Sequence, residues 1–125
     1  GRVFFARTTL HMDLLGESWF GTASRKMDWA AARQKAVAEN IANADTPGYV
    51  GRDVKSFEEH LASSSPRGTV DTEEVGSTWG GSLDGNKVVL EEQMVLSRTA
   101  SSDFEMAASL YRKGHDLFGI AISGP

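Results

Sequence analysis

No cysteine occurs in this chain, which excludes disulfides, a thiolate nucleophile and every Cys-based zinc site. That absence fits either a reducing compartment or an exported protein that dispenses with disulfides. Clustered positive charge is also missing. The net charge is −4, and nothing matches the Lys/Arg patches that bind nucleic acid or anionic membranes. The densest basic pairs, Arg25-Lys26 and Arg112-Lys113, read as solvated helix surface. Long apolar runs are absent too. The N-terminal stretch holds only Val3 to Ala6 before Arg7, too short for a secretory h-region, and no window approaches the roughly 20 residues of a membrane span. Composition alone therefore reads as one cytoplasmic domain, ordinary for a chain of 125 residues that is 40% hydrophobic and 24% charged.

Signatures of chemistry are equally scarce. His11, His60 and His115 stand in no ligand spacing, and Glu58-Glu59-His60 reads as a solvated surface. His115 falls on an apolar helix seam, where it reads as an interface residue. No Gly-x-Ser-x-Gly elbow exists, and the glycine-rich stretch 76–85 lacks the Gly-Lys-Ser/Thr ending of a phosphate loop. Adjacent carboxylates such as Glu73-Glu74 and Glu91-Glu92 would point about 100° apart on a helix and share no substrate. A hydrolase built on His60 or His115 has no supporting geometry. The reading is of a protein without catalysis, metal or cofactor.

What the chain does contain is helical periodicity at both ends. Phe20, Ala23, Met27, Ala30, Gln34, Val37, Ile41 and Ala44 alternate spacings of three and four, a heptad seam with one polar member. The helix they predict spans about 12–44 and measures roughly 50 Å at 1.5 Å per residue. A second helix is predicted over about 87–122 and carries two adjacent seams. One runs through Leu90, Met94, Ser97, Ser101, Phe104, Ala108, Tyr111, His115, Phe118 and Ile122. The other runs through Val89, Gln93, Leu96, Ala100, Asp103, Ala107, Leu110, Gly114, Leu117 and Ala121. Small residues at 97, 100, 101, 107, 108 and 114 would let neighbouring backbones come close.

Between the helices, residues 45–86 form a turn and a polar segment, and 13 of the 21 residues from 62 to 82 are Ser, Thr, Gly or Pro. That span reads as a loop, weak hairpin or disordered stretch, with a short helix over Asp53 to Leu61 capped by Asp53 or Ser56. The fold class is therefore all-α dominated, with two long terminal helices in an antiparallel coiled-coil-like hairpin and an irregular or weakly β middle. Such a hairpin buries one seam and leaves the other needing a partner. Residues expected at helix-packing interfaces are Phe20, Met27, Val37, Ile41, Leu90, Met94, Leu96, Phe104, Leu110, Tyr111, Leu117, Phe118 and Ile122.

The first helix stops at Thr46-Pro47-Gly48-Tyr49. The residue before proline leaves helical geometry, and Pro-Gly suits the two central positions of a type II turn. Downstream, Asp84-Gly85 is a second turn, and Asp84 or Asn86 can cap the C-terminal helix.

Asn40, Asn43, Thr46, Gly48 and Tyr49 complete an Asn-x-x-Asn-x-x-Thr-x-Gly-Tyr string that resembles the N-terminal signature of the bacterial flagellar axial proteins (rod, hook and relatives). Arg52-Asp53 and the string Leu83-Asp84-Gly85-Asn86, followed by Val88, Glu91 or Glu92, and Met94, resemble the proximal-rod type among them. The similarity covers roughly residues 25–58 and 82–122. It implies an assembly motif of Asn40, Asn43, Thr46, Pro47, Gly48, Tyr49, Asp84, Gly85 and Asn86. It also implies a structural subunit that connects the membrane ring to the rest of the rod, transmits torque, helps line the export channel and is required for motility. Implied partners are other copies of the chain, neighbouring rod proteins, membrane-ring and rod-adaptor proteins, and the export machinery. Passage through the flagellum-specific type III channel without a cleaved signal peptide would place it in the periplasmic rod, replacing the cytoplasmic reading. From the residues alone the alternative is a soluble helical adaptor or regulatory module that binds a partner helix.

Overall fold

A computed structural model of the chain describes residues 2–63, 65–76 and 88–119, with side chains from Leu14 onward. Its order is α1 (Arg2–Ala42), β1 (Arg52–Val54), α2 (Phe57–Ala62), β2 (Thr72–Glu74) and α3 (Leu90–Phe118). The two long helices pack antiparallel: Gln34 reaches Ser97 while Phe20, about four turns toward the N-terminus, meets Tyr111. The all-α hairpin with a weakly β middle is thus the architecture of the chain. α1 begins about ten residues earlier than its heptad seam predicts, and α3 is shorter than 87–122 at both described ends. The caps expected from Asp84 and Asn86 lie outside the described residues. So does Ile122.

The line along which α1 and α3 meet is built from small side chains repeating every seven residues. On α1 these are Gly16, Ala23 and Ala30, continued by Val37, and on α3 Ala100, Ala107 and Gly114, preceded by the larger, polar Gln93; all are buried. Of the two predicted seams on α3, the one through Gln93 and Ala100 faces α1 most directly. Small residues win this position because they let the helix axes approach, whereas larger apolar residues flank the contact. Gly114 marks the closest approach: a Cβ there would lie 2.6 Å from Phe20 Cζ and 3.0 Å from Trp19 Cδ1. The aromatic cluster of Trp19, Phe20, Tyr111 and Phe118 closes this end in edge-to-face pairs.

α1 buries a second face that the heptad seam does not include. Trp29 and Ala36 face the middle segment and are 6% and 4% exposed, and Asn40, 1% exposed, sits between that segment and Gln93 of α3. There β1 and β2 pair antiparallel with Arg52 opposite Glu74, Asp53 opposite Glu73 and Val54 opposite Thr72. Val54 packs with Trp29 and Ala30, and Phe57 and Val70 border that cluster. α2 starts at Ser56, whose side chain accepts the Glu59 N–H at 3.2 Å. Ser56 rather than Asp53 is the cap, because Asp53 is drawn into β1. The turn Pro66–Thr69 is tied to α1 by Asp28, which accepts from Arg67 Nε at 2.8 Å and from the Gly68 N–H at 3.3 Å.

Candidate functional site

The end of α1 carries the densest polar construction among the described residues, and it centres on Asn40. Its amide nitrogen donates to the Arg52 carbonyl at 2.8 Å and to Gln93 Oε1 at 2.9 Å. Its Oδ1 accepts the Tyr49 hydroxyl and the Arg52 N–H, each at 2.9 Å. Two donors and two acceptor positions are all an asparagine side chain offers, so the group is fully satisfied although buried. One side chain thereby joins α1, α3, the turn and the first residue of β1.

The turn itself follows from Thr46-Pro47-Gly48-Tyr49. The Tyr49 N–H bonds the Thr46 carbonyl at 3.1 Å, and Gly48 has φ +77°, the backbone that the third residue of a type II turn requires. Asn43 closes the helix above it: its Nδ2 donates to the Glu39 carbonyl at 2.9 Å, and its Oδ1 accepts from Thr46 Oγ1 at 3.3 Å. The Glu39 carbonyl also accepts the Asn43 N–H, and the Ile41 and Asn43 carbonyls accept the N–H groups of Ala44 and Thr46, so the helix end is closed mainly by backbone bonds. Asn40 and Asn43, one turn apart, do different work: Asn43 stays within its own helix end and Asn40 reaches outward.

A second set of contacts locks the emerging chain back onto α1. Arg33 and Asp53 form a two-bond ion pair, Nε to Oδ1 at 3.0 Å and Nη2 to Oδ2 at 2.8 Å, with side chains only 18% and 15% exposed. The Trp29 indole donates to the Lys55 carbonyl at 2.7 Å. Lys26 Nζ lies 4.3 Å from the Trp29 ring centroid and 4.4 Å from that of Phe57, a double cation–π contact. The expectation that Arg25-Lys26 is solvated helix surface does not hold: both side chains are half-buried, and Arg25 Nη1 is buried without a hydrogen-bond partner. His60 is likewise 6% exposed rather than solvated, because α2 lies flat with Phe57 and His60 facing inward.

Of the residues expected at helix interfaces, Val37 is buried, and Phe20, Met27, Leu96, Tyr111 and Phe118 are half-buried. Ile41, Leu90, Met94, Phe104, Leu110 and Leu117 remain 41% to 55% exposed. The sequence reading missed Trp29 and Arg33 as anchors, and the polar pairings of Gln34 with Ser97 and Ser101 and of Asn40 with Gln93. Polar residues at seam positions on both helices were the available signal for the pairing. Among the described residues no group of three or more His, Asp or Glu converges as a metal site.

Comparison with known proteins agrees with this geometry. Residues 22–49, the stretch ending in the Asn40 turn, match the family model described as flagella basal body rod protein. The flagellar basal body rod protein FlgB of Agrobacterium fabrum is 32% identical over 117 residues, covering 78% of this chain and 87% of that protein. The chain belongs to the bacterial flagellar basal body rod proteins, and is a structural component of the rod.

Proposed function

We propose that the chain is a proximal-rod subunit whose α1–α3 hairpin packs side by side with other copies of itself and with neighbouring rod proteins. The supporting observation is the apolar surface the hairpin leaves uncovered. Leu90, Met94 and Phe104 lie along one flank of α3, and Met106, Leu110 and Leu117 along the other. On the second flank a groove of about 490 Å³ opens between the long helices, walled by Trp19, Phe57, Met106 and Leu110. Apolar stripes on two flanks of one helix are unfavourable to leave in water, which marks them as contact surfaces. In this reading the hairpin helps line the export channel and carries torque from the membrane ring, and the segment held by Asn40, Asn43, Thr46, Pro47, Gly48 and Tyr49 faces outward. Asp84, Gly85 and Asn86 complete the assembly motif. Membrane-ring and rod-adaptor proteins are its proximal partners. Delivery uses the flagellar export machinery without a cleaved signal.

Site-specific photo-cross-linking tests this reading in living cells. A cross-linking residue at Leu110 or Phe104 is expected to trap this chain against itself or another rod protein. One at exposed Glu58 on α2 is expected to give no rod–rod product. Cross-links only to a cytoplasmic protein would replace the rod reading with the adaptor one.

A further inference from the structure

We propose that two polar rungs, Gln34 with Ser97 and Ser101, and Asn40 with Gln93, set the register in which α1 and α3 pair. The alanine-lined middle of the contact does not do so. Alanines recur at a seven-residue spacing on both helices there, Ala23 and Ala30 on α1 and Ala100 and Ala107 on α3, so sliding one helix by a single repeat, about 10 Å, lays that stretch on itself. Packing of this kind fixes the distance between the helices and leaves their relative height open.

The polar pairs are not repeated. Gln34 Nε2 donates to the Ser97 carbonyl at 2.8 Å and to Ser101 Oγ at 2.6 Å, while its Oε1 accepts from Ser97 Oγ at 3.0 Å. One repeat of slip would set Gln34 against Phe104 and Ala108, or in the other direction against Leu90 and Met94. Neither pair carries the side-chain hydroxyls that Ser97 and Ser101 offer the Gln34 amide. The first slip also sets Asn40 against Ala100, leaving its second N–H without the Gln93 oxygen. Stranding the buried Asn40 and Gln93 amides costs more than forming their bond gains, so that rung discriminates register strongly while adding little stability, and the half-buried Gln34 rung reinforces it. Because Asn40 also bonds Tyr49 and Arg52, the chosen height of α3 is referred directly to the turn and to β1.

The chain is free of cysteine, so paired spin labels can be placed selectively. Ala38→Cys and Arg112→Cys are both exposed and lie at different heights along the hairpin. Dipolar spectroscopy on the full chain with these labels is expected to give one narrow distance. Adding Gln34→Leu with Gln93→Leu is expected to produce a second population, as a fraction of molecules slides about 10 Å along the axis. An unchanged single distance would overturn the proposal, and would assign register to the Phe20–Gly114 contact instead. A broad distribution without the Leu substitutions would overturn it as well. So would loss of helicity by circular dichroism in both this variant and Gln34→Leu alone, since the rungs would then supply stability rather than register.

Discussion

Asn40 bonds four groups, of which Gln93 is buried and those of Arg52 and Tyr49 are partly buried, and its removal unpairs all of them. Asn40→Ala leaves the Arg52 N–H, the Arg52 carbonyl and the Gln93 amide facing a void. The expected loss is about 3 kcal/mol, from one to three for each buried group with partial relaxation, read as a lowered thermal midpoint by circular dichroism. A loss below about 0.5 kcal/mol would mean the network carries no net stability. Two glycines fail for opposite reasons. Around Gly48 nothing lies within 4 Å of an added Cβ, and the obstacle is its φ of +77°; Gly48→Val should cost about 2 kcal/mol from backbone strain alone. At Gly114 the backbone is ordinary helix and the obstacle is Phe20, so Gly114→Leu should cost about 1–3 kcal/mol by overpacking. If the turn sets the angle between hairpin and outer segment, Gly48→Val and Pro47→Ala should each reduce swimming in soft agar. Normal swimming with both would count heavily against that role.

At the scale of elements, α1 serves two neighbours at once. One face meets α3 through alanines, and the adjacent face holds the β1–β2 hairpin and α2 through Trp29, Arg33 and Asn40. Two attachments with separate residues should come apart separately. Asp53→Ala removes one partner of a largely buried ion pair and leaves Arg33 unpaired. The segment from 52 to 76 should then be cut by trypsin at Arg67 many times faster, while helicity stays near its original value. Equal loss of helicity would show that the middle segment and the long helices fold as one unit. This division also explains what could be read in advance. The α1–α3 contact repeats every seven residues, so periodicity exposed it, and Thr46-Pro47-Gly48 announced its own turn. The second face of α1 has no such trace, because its partners are three-residue strands of Arg-Asp-Val and Thr-Glu-Glu, too short and polar to show alternation. Trp29 and Arg33 become anchors only once Lys55 and Asp53 fold back over them, a contact between residues 20 and more positions apart. The Asn40 turn was legible as a motif, whereas its bond to Gln93 depends on a helix 53 positions away.

For the whole molecule, the decisive feature is apolar surface that the hairpin does not cover. Leu110 and Leu117 are 43% and 55% exposed on one flank of α3. Replacing both by Asp should leave the isolated chain as helical and as heat-stable as before, within about 0.5 kcal/mol per site. The same change should abolish swimming and leave cells without filaments, because charge would enter an interface between subunits. Preserved motility would remove this flank from the assembly. The most direct measurement is mass spectrometry of hook–basal bodies purified from the source bacterium, with quantified peptides of this chain. A rod subunit must be present at a fixed few copies per particle, and particles from a deletion strain must lack the rod beyond it. Complete particles without the chain, and recovery of the chain from the cytoplasm instead, would contradict the account.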